Sequence, residues 1–298
     1  MRPYTFDHRR PDLAPYGFTC ELWKAAVMRR PDRHDEIELN LLLGGSLTYL
    51  LGGTRVTVQE RRLGAFWAAM PHQIIGSEKS PEYFVITLPL AWVLQCQLPS
   101  KFIDRLLSGY FISETEGDRS RFELDFALCR QWEHDLKGRN RQPSPATALE
   151  LQARLLRFAA AVPDTTAARQ PVRNIRGATS AMKAEQMASY IARHYREPLS
   201  INDIARETHL HPNYAMTLFK RTFHTTLSDY LTRYRIAQAQ RLLATTDEKV
   251  IDVALESGFR TPSRFYEAFQ RACGCSPSHY RKDHLNRNPA TPVERELV

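Results

Sequence analysis

The sequence predicts an α+β protein of two domains, a β-barrel with packed helices followed by an all-α unit with two helix-turn-helix motifs. Three observations carry that prediction. Short apolar or alternating runs punctuated by Gly and Pro fill Tyr16 to Pro89. After Pro99 the apolar spacing becomes helical. From Ser200 to Arg281 one helical pattern is written twice.

The strand-like runs are Phe18 to Val27, Glu36 to Leu43, Ser46 to Leu51, Arg55 to Val58, Ala65 to Met70 and Tyr83 to Leu88. Gly52-Gly53 lies between two of them and reads as a two-residue hairpin turn. Many short strands at this spacing suggest a barrel or a double-sheet jelly roll. Phe102-Ile103, Leu106-Leu107 and Tyr110 then mark a helix. A second helix is marked by Phe122, Phe126, Cys129 and Trp132, and a third by Leu149, Leu151, Leu155-Leu156 and Phe158. One of these last two is expected to form a dimer seam. Residues 163–180 are rich in Ala, Thr, Arg and Pro without apolar period, and read as a linker. The expected divisions are therefore 1–162, linker 163–180, helical unit 181–284 and a polar, disordered tail 285–298.

In the repeat, Asp203 and Asp252 are 49 residues apart, whereas Phe219 and Phe269 are 50 apart. The extra residue falls in the turn between the two helices of the second copy. Pro212 in one copy, and Gly258 with Pro262 in the other, stop one helix and start the next. Ala215, Leu218 and Phe219 share one helix face, as do Phe265, Ala268 and Phe269. The opposite faces carry Asn213, Tyr214, Met216, Thr217, Lys220 and Arg221, then Ser263, Arg264, Glu267 and Arg271, with Arg260 in the turn before. Hydrogen-bonding and cationic groups on a helix braced by a partner helix suit reading of the major groove.

The chain has 298 residues, 43% hydrophobic and 25% charged, which is ordinary for a soluble globular protein. Its net charge of +8 favours a polyanionic partner. That charge does not locate the partner, because 17 Lys/Arg against 13 Asp/Glu after Ala181 account for only half of it. The 5 cysteines have no zinc-ribbon or redox spacing and read as free thiols of a reducing compartment. The N-terminus lacks an apolar signal region, and no run has the length of a membrane helix, so a cytoplasmic location is expected. There is no glycine-rich phosphate loop, nucleophile elbow or paired-cysteine site, and no catalytic residue is expected.

The residues Tyr230, Arg235-Ile236, Ala239, Leu242-Leu243, Asp252-Val253-Ala254, Gly258-Phe259, Phe265, Phe269, Gly274, Ser276-Pro277 and Tyr280-Arg281 resemble the signature of the AraC family of transcription regulators. The resemblance implies a cupin-like sensor barrel for the N-terminal half. It also implies double-stranded operator DNA, a small-molecule inducer, a homodimer and RNA polymerase as partners.

Candidate ligand residues are Trp23, His34, Glu36, Glu38, Tyr49, Arg55, Trp67 and His72. Flat aromatic rings pack on the apolar faces of sugars, and charged groups bind their hydroxyls. A sugar inducer is therefore expected. Taken singly, Trp23 and Tyr49 read equally well as core aromatics. His34, Glu36, Glu38 and His72 also resemble a worn cupin metal set, but the usual His-x-His pair is missing and sensor barrels of this family generally bind ligand without metal. No metal or cofactor is expected. Two rival readings keep the same residues: a metal-dependent cupin enzyme fused to a DNA-binding tail, and a repressor or stress regulator without a sugar ligand.

Overall fold

The computed structural model describes residues 3–11, 14–79, 81–115, 119–137, 142–162, 180–223 and 225–285. Its N-terminal region carries strands β1 (Thr19–Lys24), β2 (Glu36–Leu42), β3 (Ser46–Leu51), β4 (Thr54–Gln59), β5 (Leu63–Trp67), β6 (His72–Glu78), β7 (Glu82–Pro89) and β8 (Ile112–Ser113). They form a five-stranded sheet, β1-β7-β2-β5-β8, and a three-stranded sheet, β4-β3-β6. Every pairing is antiparallel. The sheets face each other: the ring of Tyr49 on β3 stands 5.5 Å from that of Phe66 on β5.

The expected closed barrel is not formed. Among the described residues no ladder joins the two sheets; the chain before β2 meets β6 through an isolated bridge between Asp32 and His72 and through the Met28 amide, which donates to the Ile74 carbonyl at 2.9 Å. The outer edge of β1 is taken instead by Tyr4, whose amide donates to the Leu22 carbonyl and whose carbonyl accepts from the Lys24 amide, both at 2.8 Å. Helix α3 (Arg119–Asp135) packs on β1, and α5 (Ser180–His194) packs on β4. The strand expected over Ala65 to Met70 ends at Trp67. A turn carries residues 68–71, and β6 follows as a strand that the periodicity did not mark.

The Gly52-Gly53 turn is as expected: Leu51 pairs with Thr54, and both glycines have positive φ, 52° and 83°. Packing explains the glycines further. A Cβ on Gly53 would lie 2.5 Å from the Ala188 carbonyl on α5. The hairpin tip is pressed against the C-terminal half.

Short α1 (Leu90–Val93), α2 (Ser100–Leu107), α3 and α4 (Pro145–Ala161) follow the main strands. Ser144 caps α4 by accepting from the Thr147 amide. The guanidinium of buried Arg154 on α4 donates to both carboxylate oxygens of Asp125 on α3, at 2.6 and 2.8 Å, and to Glu114 at 2.9 Å. That fully paired cluster ties α3, α4 and the strand end together.

Residues 163–179 of the expected linker, and the tail beyond residue 285, lie outside the described residues. The C-terminal region is α5, α6 (Ile201–Glu207), α7 (Pro212–Phe223), α8 (Leu227–Thr245), α9 (Val250–Glu256), α10 (Pro262–Cys273) and α11 (Pro277–Leu285). Helix α8 is its axle: Tyr230, Tyr234, Ile236, Ala239 and Leu243 are all buried. Its buried Gln238 also reaches the Met70 sulfur of the N-terminal region, at 3.6 Å. Arg55 of β4 pairs with both carboxylate oxygens of Glu185 on α5. The Tyr280 hydroxyl on α11 donates to Asp35 at 2.8 Å.

Gly53→Ala is expected to lower the unfolding midpoint in denaturant by more than Gly17→Ala. Both glycines are left-handed, at φ 83° and 73°, so both variants carry roughly 1–2 kcal/mol of backbone strain. Gly17 has nothing within 4 Å of its Cβ position, whereas Gly53 adds about 1–3 kcal/mol of overpacking against α5. Equal losses would show that the hairpin tip does not bear on that helix.

Candidate functional site

The first site is the outer surface of the two helix-turn-helix motifs. Helix α6 starts in a capping box: the Ser200 hydroxyl accepts from the Asp203 amide, and the Asp203 carboxylate accepts from the Ser200 amide at 3.0 Å. The two copies then turn alike. Leu210 donates to the Ala205 carbonyl, and Phe259 donates to the Ala254 carbonyl, both at 3.0 Å. His209 and Gly258 occupy the same left-handed position of the turn, at φ 53° and 86°. His209 is exposed and tolerates its side chain. A Cβ on Gly258 would collide with the Tyr195 carbonyl, so only glycine fits there. The start of α6 and that of α9 are 49 residues apart, and those of α7 and α10 are 50 apart, which puts the extra residue in the second turn as expected.

Ala215, Leu218, Phe219 and Phe223 bury the inner face of α7, and Phe265 and Phe269 that of α10. Pro262 opens α10, and Gly274, at φ 71°, closes it. On the outer faces Asn213, Tyr214, Met216, Thr217, Lys220 and Arg221 are all exposed, as are Arg260, Ser263, Arg264, Glu267 and Arg271. The structure thus places every predicted DNA-facing residue on solvent-exposed surface. Glu267 takes Arg271 at i+4, and among the described residues Arg264 has no ion pair.

The second site is the cavity between the sheets, lined among others by Tyr16, Trp23, Asp32, Glu38, Tyr49 and His72. Strand register explains who faces it. Thr19, Glu21 and Trp23 on β1 stand opposite Thr87, Val85 and Tyr83 on β7, and Glu38 on β2 stands opposite Thr87 and Phe66. His34 bridges two carboxylates, with Nδ1 2.9 Å from Glu36 and Nε2 3.2 Å from Glu38. Glu36 also accepts from the Gly17 amide at 2.8 Å. Burial opposes a charge on His34, but the hydrogen bonds and charges of Glu36 and Glu38 prevail and raise its pKa to about 9. Burial likewise opposes the Glu38 charge, and His34 and His72 prevail to lower that carboxyl. For His72 burial wins, and its pKa falls below the ordinary value.

The structure brings together Trp23, His34, Glu36, Glu38, Tyr49 and His72, but not the other two predicted ligand residues. Trp67 pairs across the ladder with Ile37, the neighbour of Glu38, so its fully buried ring lies on the far face of the sheet. Phe66 takes its place, with its ring 5.0 Å from His72. Arg55 is engaged with Glu185 at the junction of the two regions. Sequence reasoning missed Tyr16, Asp32, Tyr83, Thr19 and Thr87. Alternation along β1 and β7 could have found the last three. Tyr16 and Asp32 lie outside the strands and give no periodic signal.

Comparison with known proteins defines the class first. The helix-turn-helix domain family matches residues 204–283. The melibiose operon regulatory protein of Escherichia coli K12 is 30% identical over 270 residues, covering 89% of this chain and 88% of that one. The chain belongs to the AraC family of DNA-binding transcription regulators. The raffinose operon transcriptional regulatory protein RafR of Pediococcus pentosaceus is 34% identical over 94 residues, covering 32% of this chain and 34% of its own. Among solved structures, the DNA-binding domain of AdpA in complex with a target DNA is similar at 28% identity and a TM-score of 0.35, covering 37% of this chain and 98% of that one. No described helix is long and apolar enough to cross a membrane.

Proposed function

We propose that the protein is a cytoplasmic, sugar-responsive activator of a sugar-utilisation operon. In this reading residues 1–162 are a cupin-like sensing and dimerisation domain, 163–180 the linker, 181–284 the DNA-binding domain and 285–298 a tail. The observation that carries the sugar reading is the cavity between the sheets, where Trp23 and Tyr49 supply aromatic faces beside buried Glu38 and His72. The alignment to the melibiose operon regulator runs through this half, whereas that to RafR spans only a third of the chain. An α-galactoside is therefore the first sugar to test. Melibiose and raffinose are expected to raise the thermal midpoint of the full chain, and Trp23→Ala to erase the rise by removing a stacking face worth on the order of 1 kcal/mol. In a purified system with RNA polymerase, the same sugars should increase transcription. A midpoint unmoved by any sugar would end the sugar reading; sugar-dependent loss of transcription would make the protein a repressor.

For dimerisation, α4 suits the seam better than α3. Its exposed Leu149 and Leu156 are at i and i+7 and share one face, whereas exposed Leu124 and Phe126 of α3 point apart. Leu149→Glu is expected to convert a dimer into a monomer in sedimentation. A variant that sediments like the parent would move the seam elsewhere.

On DNA, α7 and α10 would each enter a major groove. Arg264 is in the first turn of α10, where it can donate two parallel bonds to a guanine, a contact worth about 1–3 kcal/mol of discrimination. Its one local competitor, Glu267, is occupied by Arg271. Against operators with single-base changes, Arg264→Ala should relax preference at one guanine position, and Arg271→Ala should weaken all sequences alike. An unchanged preference profile for Arg264→Ala, with only a general loss of affinity, would reassign it to phosphate.

A further inference from the structure

The residues at one end of the cavity are arranged as more than a polar lining. Two backbone contacts fix them. Asp32 and His72 form an isolated antiparallel bridge, their amides donating to each other's carbonyls at 2.8 and 3.1 Å, which sets the two side chains next to each other. The His34 amide donates to the Ala68 carbonyl at 3.0 Å. Asp32, His34 and His72 each offer a ligand atom within 4.8 Å of the others, and all three are buried.

The orientations of both rings are also set. Nδ1 of His72 lies 3.0 Å from the Met70 carbonyl. A carbonyl only accepts, so Nδ1 carries the proton and Nε2 keeps its lone pair. That Nε2 is 3.8 Å from the Glu38 carboxylate. Nδ1 of His34 meets Glu36, and its Nε2 meets the same Glu38 oxygen at 3.2 Å. Each imidazole therefore has an acceptor behind Nδ1 and turns Nε2 toward a shared carboxylate. Histidines that hold a metal have this backing, which fixes ring orientation and raises donor strength. Asp32 is braced as well, by the Tyr16 hydroxyl at 3.2 Å and by Arg10 at 3.2 Å.

We propose that Asp32, His34, His72 and Glu38 form a binding site for one divalent first-row transition ion, with zinc as the best fit. Two imidazoles and two carboxylates are a donor set for such ions rather than for calcium or magnesium. At metal–donor distances of 2.0–2.2 Å, tetrahedral donors stand about 3.4 Å apart. The separations of Glu38 from the two Nε2 atoms, 3.2 and 3.8 Å, bracket that value. The ion would displace a proton from His34 and take its place among the carboxylates of Asp32, Glu36 and Glu38, of which Asp32 is also met by the guanidinium groups of Arg10 and Arg30. The absent His-x-His pair argued against metal in the sequence, but here the second imidazole comes from β6, across the gap between the sheets, and Asp32 supplies a donor that no strand pattern revealed. The inference does not depend on the sugar reading.

The test uses the full chain, stripped with chelator and titrated with Co²⁺ alone and then with Zn²⁺ against a chromophoric competitor. The expected result is the visible absorption of a low-coordinate Co²⁺ site, saturating at one ion per chain and displaced by Zn²⁺. His72→Ala should weaken Zn²⁺ binding by at least about 100-fold. The isosteric Asp32→Asn, less prone to misfold, should weaken it less, and exposed His279→Ala should leave it unchanged. A parent chain that develops no such absorption overturns the site whatever the variants do. So does undiminished Zn²⁺ binding by folded His72→Ala. Repeating the sugar titration in excess chelator separates the two readings, since a sugar shift that survives there stands without the ion.

Discussion

The interaction on which the arrangement turns is the acceptance of the Tyr280 hydroxyl by Asp35. Asp35 is flanked in sequence by His34 and Glu36, which bond to each other beside Glu38 of the cavity wall. The same short stretch thus supplies two residues of that cluster and one that holds the C-terminal region. Tyr280 is buried, and burial first, then the Asp35 charge, keeps its hydroxyl protonated and donating. Behind it, His284 donates from Nδ1 to the Tyr280 carbonyl at 2.7 Å and turns Nε2 toward Asp35. Burial opposes a charge on that imidazole, but Asp35 prevails and raises its pKa. A short length of chain thus connects the cluster at the cavity end with the helix that follows the second helix-turn-helix motif.

The two motifs are unequal partners in this connection. The turn of the first carries His209 in a left-handed conformation with its side chain in solvent, so it is local. The turn of the second is held by the rest of the fold. Gly258 is pressed on the Tyr195 carbonyl, and Arg235 of α8 donates to that same carbonyl and to that of Glu197, both at 2.8 Å. The second motif is also followed by α11, which packs on α1 and α8. The first motif instead faces the N-terminal sheets through the end of α7, where Thr222 and Phe223 line a cleft with Thr48, Arg55 and Gln73.

Much of the C-terminal region was legible in the sequence because its information is local. Helical period, a proline at the start of the second helix of each motif and, in the second copy, a glycine at a left-handed turn specify the motifs within a dozen residues, and the repeat checks one copy against the other. The sheets were legible only as strands. Which edges pair is decided by irregular chain, since β1 takes Tyr4 and β6 takes Met28 and Asp32, and no strand pattern encodes it. Trp67 was misplaced for a related reason. Alternation fixes which residues share a face, but pairing with Ile37 rather than Glu38 decides which face that is, and register is set between strands. Asp32 and Tyr16 were invisible because irregular chain has no period. The junction between the two regions, with Arg55 held by Glu185, left no local signal at all.

Two buried charged clusters make the final distinction. Arg154 is enclosed by Asp125 and Glu114, at short distances and far from the cavity. Its carboxylates are matched by a guanidinium that presents several donors, and the cluster does nothing beyond joining α3, α4 and the end of β8. The cavity cluster is different. Asp32, Glu36 and Glu38 are buried beside His34 and His72; Arg10 and Arg30 meet Asp32, His34 meets Glu36, and Glu38 is shared by two imidazoles instead of paired with one. Burying several charged groups together costs stability that apolar residues of similar size would not. These groups are placed where the sheets leave space, which gives the cavity, and not the ion-paired helices, the features of a binding site in the N-terminal region.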